Sequence, residues 1–331
     1  ASGLSLTEAI GLSKNLALDE NNSKMINVTD GTGLILLSNV RPADYCSGYT
    51  INLVTTGGWN VTKPVEIKGK TYEFLGLGDE TNPYSGTFTL DKSTSASQYS
   101  ITTSRALFNS LSTDATLSNT IPFIISSESS SEKPLLAEKL KKGNDEKELK
   151  CNIVLREPNE SVSDAKIGGL IGTMETDTNA DISFENTVNS AVTVKGESHT
   201  GLFCNTMESG ASLTATFTST SSGKITVEAA ANGADAGGFV GHMEDGTLTI
   251  AGSSVAQVNS AYGNAGGLVG SANGGAIQIK KEENTNTSFI FADSFALKAD
   301  SGKAAGGLIG EYTVVDSKIQ TEESAAEYDL S

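Results

Sequence analysis

Gly168-Gly169-Leu170-Ile171-Gly172 comes back along the chain. It recurs as Thr200-Gly201-Leu202-Phe203-Cys204, Gly237-Gly238-Phe239-Val240-Gly241, Gly266-Gly267-Leu268-Val269-Gly270 and Gly306-Gly307-Leu308-Ile309-Gly310. Two looser copies precede these, Ala106-Leu107-Phe108-Asn109 and Leu135-Leu136-Ala137-Glu138. The first apolar residue of each copy falls at 107, 136, 170, 202, 239, 268 and 308, so the intervals are 29, 34, 32, 37, 29 and 40 residues. A fixed core at variable spacing is what stacked coils joined by unequal loops produce.

Two further β-like stretches lie between copies. Ile182-Ser183-Phe184 and Val192-Thr193-Val194 follow Gly172, while 213–217 and Ile225-Thr226-Val227 follow Cys204. Three short strands per repeat are too few for a propeller blade, and no helical stretch of the leucine-rich or ankyrin kind is present. The pattern predicts an all-β fold, a right-handed parallel β-helix with three short strands per coil. Strands one coil apart then stack about 4.8 Å from each other. Leu111, Leu140, Met174, Met243, Ala272 and Tyr312 form a second apolar column, which Met207 joins with a one-residue offset. These methionines read as core filler.

The organisation expected is one continuous solenoid. Residues 1–100 form an N-terminal cap and the first irregular coils, 101–320 the regular coils, and 321–331 a polar tail. Within the cap, 4–17 reads as a short amphipathic helix with Ser5 or Thr7 before Glu8. Strands are expected at 25–28, 34–37, 49–54, 65–67 and 72–75. The Ser-, Lys- and Glu-rich stretch 128–150 reads as a protruding loop, and the long last interval as an insertion near 280–295.

Of the 331 residues, 37% are hydrophobic and 6% aromatic, and the net charge is −17. So acidic a surface repels phosphate, which makes nucleic acid and anionic membranes poor partners. Arg41, Arg105 and Arg156 are the only arginines. Cys46, Cys151 and Cys204 show neither CxxC nor zinc spacing, so no disulfide framework is expected, though one bridge stays open. No run of 18 apolar residues occurs. The opening Ala1-Ser2-Gly3 and the polar end read as a mature or trimmed piece of a longer protein.

Tyr45, Tyr49, Trp59, Tyr72 and Tyr84 gather in the first hundred residues. Aromatic rings with polar tips suit sugars and protein interfaces, so these five are the candidate ligand-binding residues, with end-cap packing as the competing reading. His199 and His242 flank motif copies and read as turn or surface residues. HExxH, GxSxG, a phosphate loop and the calcium repeat GGxGxDxUx are all missing, so no catalytic residue, cofactor or metal is expected. Glu175, Asp177, Glu208, Glu244, Asp245 and Glu311 recur after the motif. Stacked, they could pair for acid–base work, although acidic turns are also what solvated corners look like.

The glycine motif resembles the GLUG repeat of bacterial surface proteins, over roughly residues 105–315. It departs from that pattern at Thr200, Cys204, Arg105 and Pro134, where glycine is expected. The resemblance implies a secreted or wall-attached bacterial protein and transfers no catalytic residue. It points to a non-enzymatic module that recognises a host protein, such as an immunoglobulin or mucosal glycoprotein, or a glycan. A carbohydrate-active β-helix enzyme and a structural spacer are the alternatives.

Overall fold

A computed structural model describes residues 4–29, 31–40, 48–54, 58–62, 64–91, 101–124, 132–156, 165–220, 224–229, 233–252, 257–260, 263–280, 296–299, 301–321 and 327–329. The chain is an all-β solenoid of about 6 turns with parallel stacked coils.

The motif builds one continuous ladder. Its strands are Phe108–Ser112, Ala137–Lys141, Ile171–Met174, Cys204–Met207, Val240–Glu244, Val269–Ile279 and Ile309–Thr321, each parallel to the next. The second strand of each coil stacks likewise through Thr120–Ile124, Leu149–Arg156, Asn179–Asn186, Ser212–Ser219 and Thr247–Gly252. A third ladder runs Ala165–Ile167, Val192–Gly196, Ile225–Ala229, Gln257–Ser260 and Ala296–Lys298. Ahead of the motif sits a fourth, two-residue ladder: Thr200–Gly201, Ala236–Gly237, Ala265–Gly266 and Ala305–Gly306.

Alternation along each strand sends apolar side chains inward. Ile153, Phe184 and Phe217 form one internal row, and Leu213, Leu248 and Ile277 another. All are almost wholly buried, and each such side chain contributes about 1.5–3 kcal/mol of burial.

The register corrects the motif alignment in one coil. Gly201 pairs with Gly237 and Cys204 with Val240, so Phe203 stands level with Phe239. That coil therefore reads Gly201-Leu202-Phe203-Cys204-Asn205, one residue later than the glycine pattern suggests. Met207 then falls directly between Met174 and Met243, with no offset. Asn205 takes the fifth position, where four other coils have Gly172, Gly241, Gly270 and Gly310. Its side chain accepts from Gly201 N at 3.1 Å and donates to Gly168 O at 3.0 Å.

Three expectations for local structure fail. The strand expected at 72–75 is instead Lys70–Tyr72, which pairs with Val65–Ile67 and ends before Phe74 turns into the core. Residues 34–37 are not a strand but part of a helix, Gly31–Ser38, packed beside the first helix, Leu6–Leu12. Leu34, Ile35, Leu36 and Leu37 are buried on every side, and a helix satisfies its own backbone where no neighbouring strand can. The stretch 128–150 does not protrude as one loop either. From 132 on it is largely a regular coil, because Ala137, Leu140 and Leu149 turn inward while Lys139 and Lys141 turn outward. The insertion at 281–295 lies outside the described residues. The first helix forms within the expected 4–17 but is shorter, Leu6–Leu12, because Leu16 already opens the strand Leu16–Asp19; Ser5 and Glu8 close a reciprocal capping box at its start.

Candidate functional site

Among the described residues the cap aromatics do not make a shared surface, because two of them are core. Trp59 and Tyr84 are fully buried, and Tyr84 packs on Phe108 with ring centroids 5.2 Å apart. Its hydroxyl donates to Thr87 O at 2.9 Å. Neither ring can face a ligand, because the first coils need both as core. Tyr49 and Tyr72 are half-buried against the same core, and Tyr45 lies outside the described residues.

A groove runs along the outer side of the first motif strands. Leu75, Glu80, Arg105, Lys133, Glu138 and Lys139 line it. Leu75 is 49% exposed, one of two large apolar side chains so exposed among the described residues. Glu80 bonds Lys139 at 2.9 Å and Lys141 at 3.1 Å, and these hydrogen bonds hold its carboxyl below the usual range. Lys133 bonds Glu197 at 2.8 Å, which raises its pKa. Burial pushes Glu138 up, against the pull of Lys133. Arg105 reaches solvent beside them.

A second polar cluster arises from two neighbouring ladders. His199, Asp235, Asn264 and Ala304 each stand two residues before the first glycine of their coil, and backbone bonds such as Thr200 N to Asp235 O stack them. Thr206, His242, Ser271 and Glu311 form the facing column, five residues after that glycine. The two imidazoles stack with centroids 4.8 Å apart and planes 25° apart. Asp235 sits under them, its side chain 9% exposed, against 29% for His199 and 16% for His242.

The carboxylate of Asp235 is strongly held. Oδ1 accepts from Asn264 N at 2.7 Å and from Asn264 Nδ2 at 2.9 Å, while Ser271 Oγ donates to Oδ2. Burial alone would raise its pKa, but His199, Ser271 and Asn264 outweigh burial and bring it down to about 2. His199 Nδ1 lies 3.1 Å from Asp235 N and 3.4 Å from Asp235 Oδ2. One nitrogen cannot serve both. Unprotonated it accepts the N–H, and only with a proton can it donate to the carboxylate.

Ser271 Oγ also lies 2.7 Å from His242 Nδ1, and His242 Nε2 lies 3.3 Å from Glu244 Oε1. This is not a nucleophilic triad. The serine hydrogen is committed to aspartate rather than to a histidine base, and Ser271 is buried.

The acidic column after the motif is tied into the corners. Asp177 and Asp245 take left-handed φ of 57° and 43°. Glu175 pairs with Lys141 at 3.3 Å, and Glu208 accepts from Thr176 N at 3.1 Å. Among the described residues no helix is long and apolar enough to cross a membrane. No family model, curated protein or solved structure matches the chain.

Proposed function

We propose that the chain is a non-enzymatic recognition module of a secreted or wall-attached bacterial surface protein, as its resemblance to the GLUG repeat implies. It binds a host protein or glycan of mucosal surfaces through its lateral face. The observation that carries this reading is the groove of Leu75, Arg105, Lys133 and Lys139. There an exposed apolar side chain and the Arg105 guanidinium come together beside Lys133 and Lys139, which are paired with Glu197 and Glu80. The planar guanidinium of Arg105 suits the carboxylate of an acidic glycan or protein segment, and Leu75 supplies an apolar anchor beside it.

The corner acids favour this reading over a carbohydrate-active enzyme. Glu175 and Glu208 are engaged with neighbouring side chains or backbone. Such groups serve the turns that carry them.

The test is capture from mucosal secretions by the immobilised chain, alongside a variant carrying Leu75→Ser and Arg105→Ala. Enrichment of one host protein by the natural chain, lost in the variant, is the expected result. No enrichment at micromolar concentration, or enrichment the variant retains, overturns the proposal.

A further inference from the structure

We propose that His199, Asp235 and His242 form a binding site for a divalent transition-metal ion of the zinc type. One nitrogen or oxygen from each of the three lies within 4.8 Å of the others. The 3.4 Å between His199 Nδ1 and Asp235 Oδ2 is already the edge of a tetrahedron with metal–ligand bonds of about 2.0–2.1 Å. His242 closes on that edge by exchanging the contact of its Nδ1 with Ser271 Oγ for the ion. Ser271 Oγ, beside both Asp235 Oδ2 and His242 Nδ1, borders the remaining position, which it or a water fills.

The surroundings are those of a supported site. A metal-binding imidazole commonly gives its other N–H to a carboxylate, and Glu244 stands at Nε2 of His242 to accept it. Asn264 holds the far oxygen of Asp235, and Asn264 is itself fixed by Glu311 and by Ala304 N. The lone pair of His199 Nδ1, which otherwise accepts the Asp235 N–H at 3.1 Å, is the one an ion would take up. Two imidazoles and one carboxylate select borderline metals over calcium or magnesium, which require a shell of oxygens. The ligands come from successive coils, so a bound ion cross-links the stack and stabilises it by mass action.

The experiment is equilibrium dialysis of the full chain against zinc, cobalt and calcium, with thermal melts in parallel. The variants are His199→Ala and His242→Thr, the latter restoring the residue that Thr206 provides one coil away. One zinc per chain is expected, with a visible tetrahedral cobalt band and a raised melting temperature. Each variant, folded by circular dichroism, should bind about tenfold more weakly or less. Absence of zinc binding at saturating micromolar metal, binding unchanged in the folded variants, or equal competition by calcium overturns the proposal. Should His199→Ala fail to fold, the cobalt band and its loss in His242→Thr decide the matter.

Discussion

Phe203 lies on Phe239 with ring centroids 5.1 Å apart and planes within 7°. This stack sets the register of the coil that opens on Thr200-Gly201, because slipping by one residue would turn every side chain to the other face. Phe203→Ala is expected to destabilise the chain by about 3–5 kcal/mol in chemical denaturation. A double-mutant cycle with Phe239 should give a coupling of about 0.5–1.5 kcal/mol. Simple additivity would show that the rings do not set the register.

Glycines in this fold differ sharply in what they do. A Cβ on Gly266 would fall 1.7 Å from Val269 O, whereas one on Gly307 meets nothing within 4 Å. Gly266→Ala should therefore collapse the melting transition or prevent folding, and Gly307→Ala should leave it unchanged. Equal effects would mean that the corner is looser than described.

Asn205 occupies a corner position that is glycine at 172, 241, 270 and 310. Asn205→Ala leaves Gly201 N and Gly168 O without these partners in a buried corner. The expected loss is about 1–3 kcal/mol in denaturant midpoint measurements. A loss near zero would show that water replaces the amide.

Cys151 and Cys204 are buried, and burial raises both thiols to about 12 from 9.0. Both states keep the thiol protonated below pH 8, so stability is then independent of these groups. Above pH 9 the unfolded chain loses its thiol protons while the folded chain holds them, so stability falls up to about pH 12. The slope is at most about 1.4 kcal/mol per pH unit for each thiol. Cys151→Ala should flatten this alkaline slope relative to the natural chain. An unchanged slope contradicts burial of that thiol, as does fast alkylation of native protein at pH 8.

Much of the architecture was legible in the sequence, because period-2 alternation and the repeated glycine corner are local signals. Ser5 and Glu8 likewise announced the first helix. The run 34–37 was not legible, since a short apolar stretch buried on all sides has no period that separates strand from helix. The candidate metal site was hidden by a single residue. With Thr200 taken as the first motif position, His199 stands out of line with Asp235 and Asn264. With Gly201 there, all three fall in one column and His242 and Ser271 in the next. For the cap aromatics the sequence leaves binding and end-cap packing open; Trp59 and Tyr84 have polar tips, but the first coils bury them as packing.

Recognition by the groove beside the first coils is tested most directly by hydrogen exchange. The chain would be measured alone and with a purified mixture of mucin and secretory immunoglobulin A. New protection is expected at 75–80, 105–109 and 133–139, and it should vanish with Leu75→Ser and Arg105→Ala. Protection confined to the second and third ladders, or no protection anywhere, would contradict it.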